Sequence, residues 1–224
     1  MANLAIRAWN HNTAELRTLQ TELAAQVSLR DGFAKPLRTV AGFDVGFEDD
    51  GATTRAAAVL MDADTHAVLD RQVASLPTAM PYIPGLLGFR ELPALLGALG
   101  MLGATPDLAF IDGHGIAHPR RFGNAAHFGI ATGIPSIGVA KKTLVGDSRM
   151  ALHDMRGAFT PLRDEGEQIG WLLRSKVGCL PLVVSPGHKV AMASAPQLVM
   201  RYVTNYRLPE PVRLADRIAS RKER

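Results

Sequence analysis

Residues 107–142 constrain the fold more than any other part of this chain: two short apolar runs, 108–111 and 136–140, enclose a segment of helical length at 122–132. Four apolar residues between Pro106 and a glycine-broken turn read as a buried strand. That strand delivers Asp112 to its own end. Gly113-His114-Gly115 follows, and two residues without a Cβ let backbone approach a ligand closely. His118, Arg120 and Arg121 come next, and the second strand ends in Lys141-Lys142. One carboxylate, several cationic donors and open backbone therefore gather at strand ends, the edge where α/β sheets bind ligands.

Upstream, the run at 40–47, VAGFDVGF, is apolar except for Asp44. A turn cluster at 48–51, a strand at 53–61, a turn at 62–66 and a third strand at 67–74 complete an antiparallel three-strand meander. A carboxylate inside the most apolar of these strands is anomalous, because burying an unpaired charge costs several kcal/mol. Metal coordination is the simplest compensation. Glu91 is a second acid in apolar surroundings, in an expected buried helix at 86–102 whose first turns hold Pro93. An ion pair with Arg90 is the competing account of Glu91. Between meander and helix, Pro81-Tyr82-Ile83-Pro84-Gly85 is a stiff extended connector, since each proline fixes its own φ and restricts the residue before it.

Residues 13–30 place Leu16, Leu19, Leu23 and Val27 at helical spacing, with Thr13 as N-cap and Asp31-Gly32 as the stop. This amphipathic helix is expected on the outside of a sheet. Residues 146–166 are polar and turn-rich and read as a long surface excursion. Strands are expected at 168–175 and 180–185, with His188 at the end of the second. A helix at 194–205 and a basic helix at 212–222, which contains Asp216, close the chain.

A hydrophobic content of 47% over 224 residues fits one globular domain, 1–224. No apolar run approaches the ~18–20 residues of a membrane span, and the N-terminus has no signal-like pattern. A cytoplasmic monomer without a membrane partner is the expectation. The single cysteine, Cys179, excludes an internal disulfide and reads as structural. The net charge of +4 is unevenly spread: residues 201–224 hold seven basic residues against Glu210, Asp216 and Glu223. Residues 114–149 hold Arg120, Arg121, Lys141, Lys142 and Arg149 against Asp147 alone. Two basic clusters in an otherwise balanced chain suggest a polyanionic partner, with a solvated basic face as the plain alternative.

Asp44, Glu91 and Asp112 are thus acids placed against local expectation. A right-handed crossover lays the strand of Asp112 beside that of Asp44, so the two carboxylates can face each other. Mg²⁺ or Mn²⁺ suits a few carboxylates completed by water and substrate phosphates, and such ions support in-line phosphoryl displacement. No cysteine or histidine cage points to zinc. The element order, with the first acid in the first strand of a meander, resembles the ribonuclease-H-like fold, an α/β mixed sheet with flanking helices.

The resemblance sharpens at six motifs: Ala41-Gly42-Phe43-Asp44-Val45-Gly46-Phe47, Met80-Pro81-Tyr82-Ile83-Pro84-Gly85 with Phe89-Arg90-Glu91, Asp112-Gly113-His114-Gly115 with His118-Pro119-Arg120-Arg121, Gly138-Val139-Ala140-Lys141-Lys142, Gly187-His188, and Leu208-Pro209-Glu210-Pro211. In order and spacing, over roughly residues 38–220, they are similar to the motifs of the endonuclease V family. That resemblance implies a Mg²⁺-dependent repair endonuclease, with Mn²⁺ able to substitute. Its substrate would be DNA containing deoxyinosine, the deamination product of adenine, or other deaminated bases. It would nick one nucleotide further on the 3′ side without excising the base.

Carried over by position, the resemblance makes Asp44 and Asp112 the metal-binding pair and Glu91 the residue completing the acidic site. Tyr82, held by its prolines, becomes the wedge that enters the duplex as the lesion base leaves the stack; an aromatic face replaces lost stacking, worth ~1–3 kcal/mol. Gly113 and Gly115 would let backbone read the extruded base, and Lys141 would contact the phosphate or steady the leaving oxygen. His188 would lie at the margin of the metal site. His114, His118, Arg120, Arg121 and Lys142 would contact DNA, and Asp216 resembles a further acid near the site. Where the family often carries an acid five positions after Gly-His, this chain has Ala193. The alternatives are an inosine-specific endoribonuclease acting on RNA and a non-cleaving nucleic-acid-binding protein.

Overall fold

The computed structural model describes residues 9–221. After α1 (Thr13–Ala24) the chain enters the meander, β1 (Thr39–Glu48), β2 (Thr53–Asp62) and β3 (Val68–Pro77). It continues through α2 (Leu87–Met101), β4 (Leu108–Asp112), α3 (Asn124–Thr132) and β5 (Ser136–Ala140). β6 (Phe159–Asp164), β7 (Glu167–Leu173), β8 (Leu182–His188), α4 (Ala195–Arg201) and α5 (Glu210–Ala219) complete it. The strands form one mixed sheet in the order β3-β2-β1-β4-β5-β8-β7-β6. β1, β4 and β5 are parallel neighbours, and every other pairing is antiparallel. The α/β mixed sheet with flanking helices expected from the sequence is the fold, and β4 does lie beside β1.

Alternation along the strands splits the core into two layers. Val40, Ala57, Val59 and Phe110 pack towards α4 and α5 together with Val199, Tyr202, Val212 and Ala215. Ala41, Phe43, Ala58 and Ile111 pack on the other face against Leu92, Leu95 and Ala98 of α2 and Phe128 of α3. Because α2 is buried by the sheet on one side and by further helix packing on another, its apolar residues run nearly all round, as its sequence indicates.

Several boundaries differ from the sequence reading. α1 stops at Ala24, and its N-cap is Asn12, whose side chain accepts from the backbone N–H groups of Ala14 and Glu15. It does not lie on the sheet: Leu16, Leu19 and Leu23 pack with Leu86, Phe89, Phe122 and Ala126, which places α1 over the α2–α3 layer. Residues 146–166 are not a plain excursion, because β6 lies within them and pairs with β7 to form the sheet edge. α4 ends at Arg201, well short of 205. The last residue of the expected basic helix, Lys222, lies outside the described residues. Arg90 stacks over the Phe47 ring at 4.0 Å rather than pairing with Glu91. Among the described residues no helix is long and apolar enough to cross a membrane.

α5 can cross β1 closely only because β1 carries glycines where the helix backbone passes. A Cβ on Gly42 would fall 2.0 Å from the Pro211 carbonyl carbon, and one on Gly46 2.5 Å from the Ala219 carbonyl oxygen. Overpacking against side chains typically costs ~1–3 kcal/mol, and here the obstacle is backbone that cannot rotate away. Gly42→Ala should therefore lower stability by at least that amount in urea unfolding and displace α5. Unchanged unfolding would show that the close crossing is dispensable.

Candidate active site

The parallel register sets Phe43 beside Ile111, so Asp44 and Asp112 are the next residues along two neighbouring strands. Strand alternation turns both carboxylates to the face covered by α5, and Asp216 on that helix meets them. One carboxylate oxygen from each of Asp44, Asp112 and Asp216 lies within 4.8 Å of the others. Lys141, which follows the last residue of β5, places its ammonium against Asp112 and donates to Asp216 Oδ1 at 2.7 Å. Glu91 reaches the same region from α2 on the opposite face, where the Asn124 side-chain amide donates to its Oε2.

The electrostatics follow from this crowding. Burial, and then the Asp112 charge, push the Asp44 carboxyl up to about 8, although its Oδ1 accepts from the Val45 N–H at 2.8 Å. Glu91 is also pushed up to about 8, first by burial and then by Asp44 and Asp112. Burial raises Asp112 as well, against the lowering effect of Lys141. Burial alone would lower the Lys141 ammonium, but Asp112 and its neighbours outweigh it and raise its pKa. Crowded carboxyls, two of them pushed up to about 8, beside one ammonium form a site short of positive charge. A hard divalent cation supplies that charge through oxygen ligands, so the residues present fit one.

A cavity of about 460 Å³ opens beside the acids. Asp44, Glu91, Asp112 and Lys141 line one wall; Tyr82, Gly85, Leu87, Gly113, His114, His118, Phe122 and Asn124 line the rest. Tyr82 is 64% exposed at the mouth. His118 is pushed down to about 4 by burial, helped by Arg120, so its ring is neutral at pH 7. Its Nδ1 accepts from the Arg120 N–H at 3.2 Å, which leaves the ring proton on Nε2, towards the Gly85 carbonyl. Burial also lowers His114, whose Nε2 is 2.9 Å from the Lys142 carbonyl oxygen. Lys142 is exposed and lines the cavity.

Other expected site residues lie elsewhere. β8 pairs antiparallel with β5, so His188 stands beside Ser136, the first residue of β5, whereas Lys141 follows its last. Asp112 pairs with Val139, three residues past Ser136, so roughly 10 Å of strand at ~3.3 Å per residue separates the level of His188 from that of the acids. His188 Nδ1 instead accepts the Ser28 N–H at 3.2 Å and ties the segment after α1 to the sheet. The expectation that it borders the metal site is corrected. Gly115 does not line the cavity: a Cβ there would fall 2.0 Å from the Pro186 carbonyl oxygen, and its N–H donates to Ser185 Oγ at 2.8 Å. Its close approach is to β8, not to a ligand. Arg121 is committed to Asp164 and Glu167 at the β6–β7 turn, at 2.9 and 2.6 Å. Arg120 donates to the Gly85 carbonyl at 2.7 Å and to Gln20 Oε1 at 2.6 Å.

Gln20 is the residue that sequence reasoning missed. It is buried in α1, lines the cavity, and donates through Nε2 to the carbonyls of Gly85 and Phe122 at 3.0 and 3.2 Å. The connector bearing Tyr82 is thus anchored by a side chain from the start of the chain. The signal is present in the sequence, because position 20 is four residues after Leu16 and three before Leu23, an amide set in an apolar stripe. Asn124, the partner of Glu91, is likewise buried and carries no sequence signal beyond its place at the start of α3.

Residues 21–217 match the family model described as Endonuclease V. The chain is 59% identical over 214 residues to Endonuclease V of Xanthomonas campestris, covering 96% of this chain and 90% of the relative. A solved Endonuclease V structure from Streptomyces avermitilis superposes with a TM-score of 0.88 at 38% identity, over 97% of this chain and 94% of the other. Endonuclease V of Ciona intestinalis, solved with a 24-mer DNA containing an inosine followed by a ribo-adenosine, has a TM-score of 0.80. It is 24% identical, over 95% and 98% of the two chains, and speaks for the shared fold.

Two outcomes test this geometry. Glu91 and Asp44 have raised pKa values when folded, so their contribution to stability is complete below the ordinary carboxyl range and is lost as pH rises through about 8. In thermal melts with chelator, Glu91→Gln should melt several degrees above wild type at pH 9 and no higher at pH 4; parallel curves would refute the buried protonated carboxyl. Gln20→Leu should lose ~1–3 kcal/mol, the cost of buried polar groups left unpaired, and urea titration would detect a neutral result.

Proposed function

The chain belongs to the endonuclease V family, and from that premise we propose that it is a DNA repair endonuclease that recognises deoxyinosine and hydrolyses a phosphodiester on its 3′ side. The observation that carries the reading is the convergence of Asp44, Asp112 and Asp216 from β1, β4 and α5 beside a cavity with an exposed aromatic at its mouth.

Asp44, Asp112 and Asp216 would hold a Mg²⁺ ion, for which Mn²⁺ can substitute, with Glu91 completing the acidic set. When bound, such an ion supplies charge for the phosphate oxygens and lowers the pKa of water. The chain's own groups do the rest. Lys141, already drawn to Asp112 and Asp216, is placed to neutralise negative charge developing on the phosphate or the leaving oxygen. Attack of water on phosphorus with departure of the O3′ oxygen leaves 3′-hydroxyl and 5′-phosphate ends. Asp44 and Glu91, whose carboxyls are pushed up to about 8, would release protons on holding a cation.

Recognition rests on the other wall of the cavity. Tyr82, framed by Pro81 and Pro84 on a connector anchored by Gln20 and Arg120, would occupy the space that a deaminated base vacates, and a poorly paired base costs least to extrude. The backbone of Gly113 would offer hydrogen-bonding groups to the edge of the base; the neutral His118, its ring nitrogens engaged by the Arg120 N–H and the Gly85 carbonyl, would shape the wall, with His114 and Lys142 at the rim. Arg120 supports this wall from behind, and Arg121 secures the neighbouring hairpin.

The test is strand cleavage of an end-labelled duplex with one deoxyinosine, with Mg²⁺ or chelator. Asp112→Asn should reduce the cleavage rate at least 100-fold while substrate binding persists. Tyr82→Ala should weaken the preference for inosine over adenine by ~5- to 100-fold, following the stacking energy of one base. Cleavage of only the matched inosine RNA would move the substrate to RNA, and full activity of Asp112→Asn would remove the acidic site from the chemistry.

A further inference from the structure

We propose that Tyr206, backed by Arg213, is a stacking platform for a base of the cut strand beyond the first nucleotide on the 3′ side of the scissile phosphate. This inference rests on the reading of the site as a nuclease acting on a nucleic-acid strand.

Tyr206 is 53% exposed, although the loop that carries it is pinned on both sides. The Arg207 guanidinium donates to the carbonyls of Lys141 and Pro181 at 2.7 and 2.8 Å, and Lys176 donates to the Asn205 carbonyl at 2.9 Å. The Glu210 N–H donates to the Tyr202 carbonyl at 2.8 Å, closing the loop onto the start of α5. An apolar ring held rigidly in water has no folding purpose of its own, since it buries little.

One face of the ring is covered by the Arg213 guanidinium, 4.3 Å from its centroid. Glu210 fixes that guanidinium, accepting from Arg213 Nε at 3.0 Å and Nη2 at 2.6 Å. Orientation is therefore set before any ligand arrives. A cation on one face of a tyrosine leaves the other to accept a flat partner, and every base offers one.

The position selects the partner. Arg213 lies three residues, close to one helical turn, before Asp216 on α5, and Arg207 is bonded to the backbone of Lys141, so the loop of Tyr206 is tied to both elements that bring Asp216 and Lys141 to the site. It does not line the cavity that would take the lesion base. Tyr82 thus belongs to the cavity side of the site, and Tyr206 to the loop that leads into α5. A strand with its lesion in the cavity and its scissile phosphate at the trio continues in the 3′ direction away from the cavity, past Tyr206. The exposed Lys176, bonded to the Asn205 carbonyl, adds positive charge beside this loop.

The test compares wild type, Tyr206→Ala and Tyr206→Phe on single-deoxyinosine duplexes with Mg²⁺. One duplex has a long 3′ flank, and in the other the cut strand ends at the nucleotide just beyond the scissile bond. On the long flank Tyr206→Ala should raise KM by ~5- to 100-fold, the range of one base–aromatic stack, with kcat much less affected and Tyr206→Phe close to wild type. On the truncated strand the difference between wild type and Tyr206→Ala should vanish. An equal loss on both substrates, a loss shared by Tyr206→Phe, or no loss would overturn the proposal. Failure of wild type to cut either duplex would instead overturn the nuclease reading on which it rests.

Discussion

The mutual repulsion of carboxylates gathered at one edge of the sheet is the constraint to which the surrounding structure answers. Asp44, Asp112 and Asp216 come from three elements, and Glu91 approaches from a fourth. Such a group persists without a cation only if protons and nearby positive charge relieve it. Raised carboxyl pKa values and the Lys141 ammonium supply that relief. Both are also what a divalent cation would replace, so the crowding of the acids and their readiness to take a cation are one property.

Holding acids that repel one another requires a rigid frame, and the sheet provides it. Parallel pairing sets two of the acids side by side at fixed register, and glycines in β1 let α5 settle close enough to bring the third. On the far side the cavity wall is built by long-range hydrogen bonds. Gln20 and Arg120 converge on the Gly85 carbonyl, so the loop bearing the exposed Tyr82 is held by residues from opposite ends of the central sequence. The acids and the exposed Tyr82 therefore sit on separately anchored walls of one cleft.

Much of this was legible in the residues. An acid inside the apolar strand 40–47 and another at the end of a four-residue apolar run pointed to adjacent strands, because a right-handed crossover leaves little choice of topology. Asp216 is a different matter: on an amphipathic basic helix nothing local distinguishes a ligand from a solvated acid, and only the close crossing of α5 over β1 reveals where it points. His188 was set at the metal margin by the resemblance of Gly187-His188 alone, whereas the antiparallel direction of β8, which puts it at the opposite end of β5, is not written in its neighbours. β6 escaped notice since an edge strand needs no apolar alternation on its exposed side. The resemblance gave Arg120 and Arg121 contacts to DNA, but both guanidiniums are engaged within the protein.

The central claim is that these carboxylates form one cation site whose protons leave as the cation enters. Calorimetric titration of the chelator-stripped protein with Mn²⁺ at pH 7, repeated in buffers of different ionisation enthalpy, measures binding and proton release together. Saturable binding accompanied by release of protons, weakened at least tenfold in Asp216→Asn, is the result this account predicts. Binding without proton release, or binding indifferent to Asp216, would contradict it.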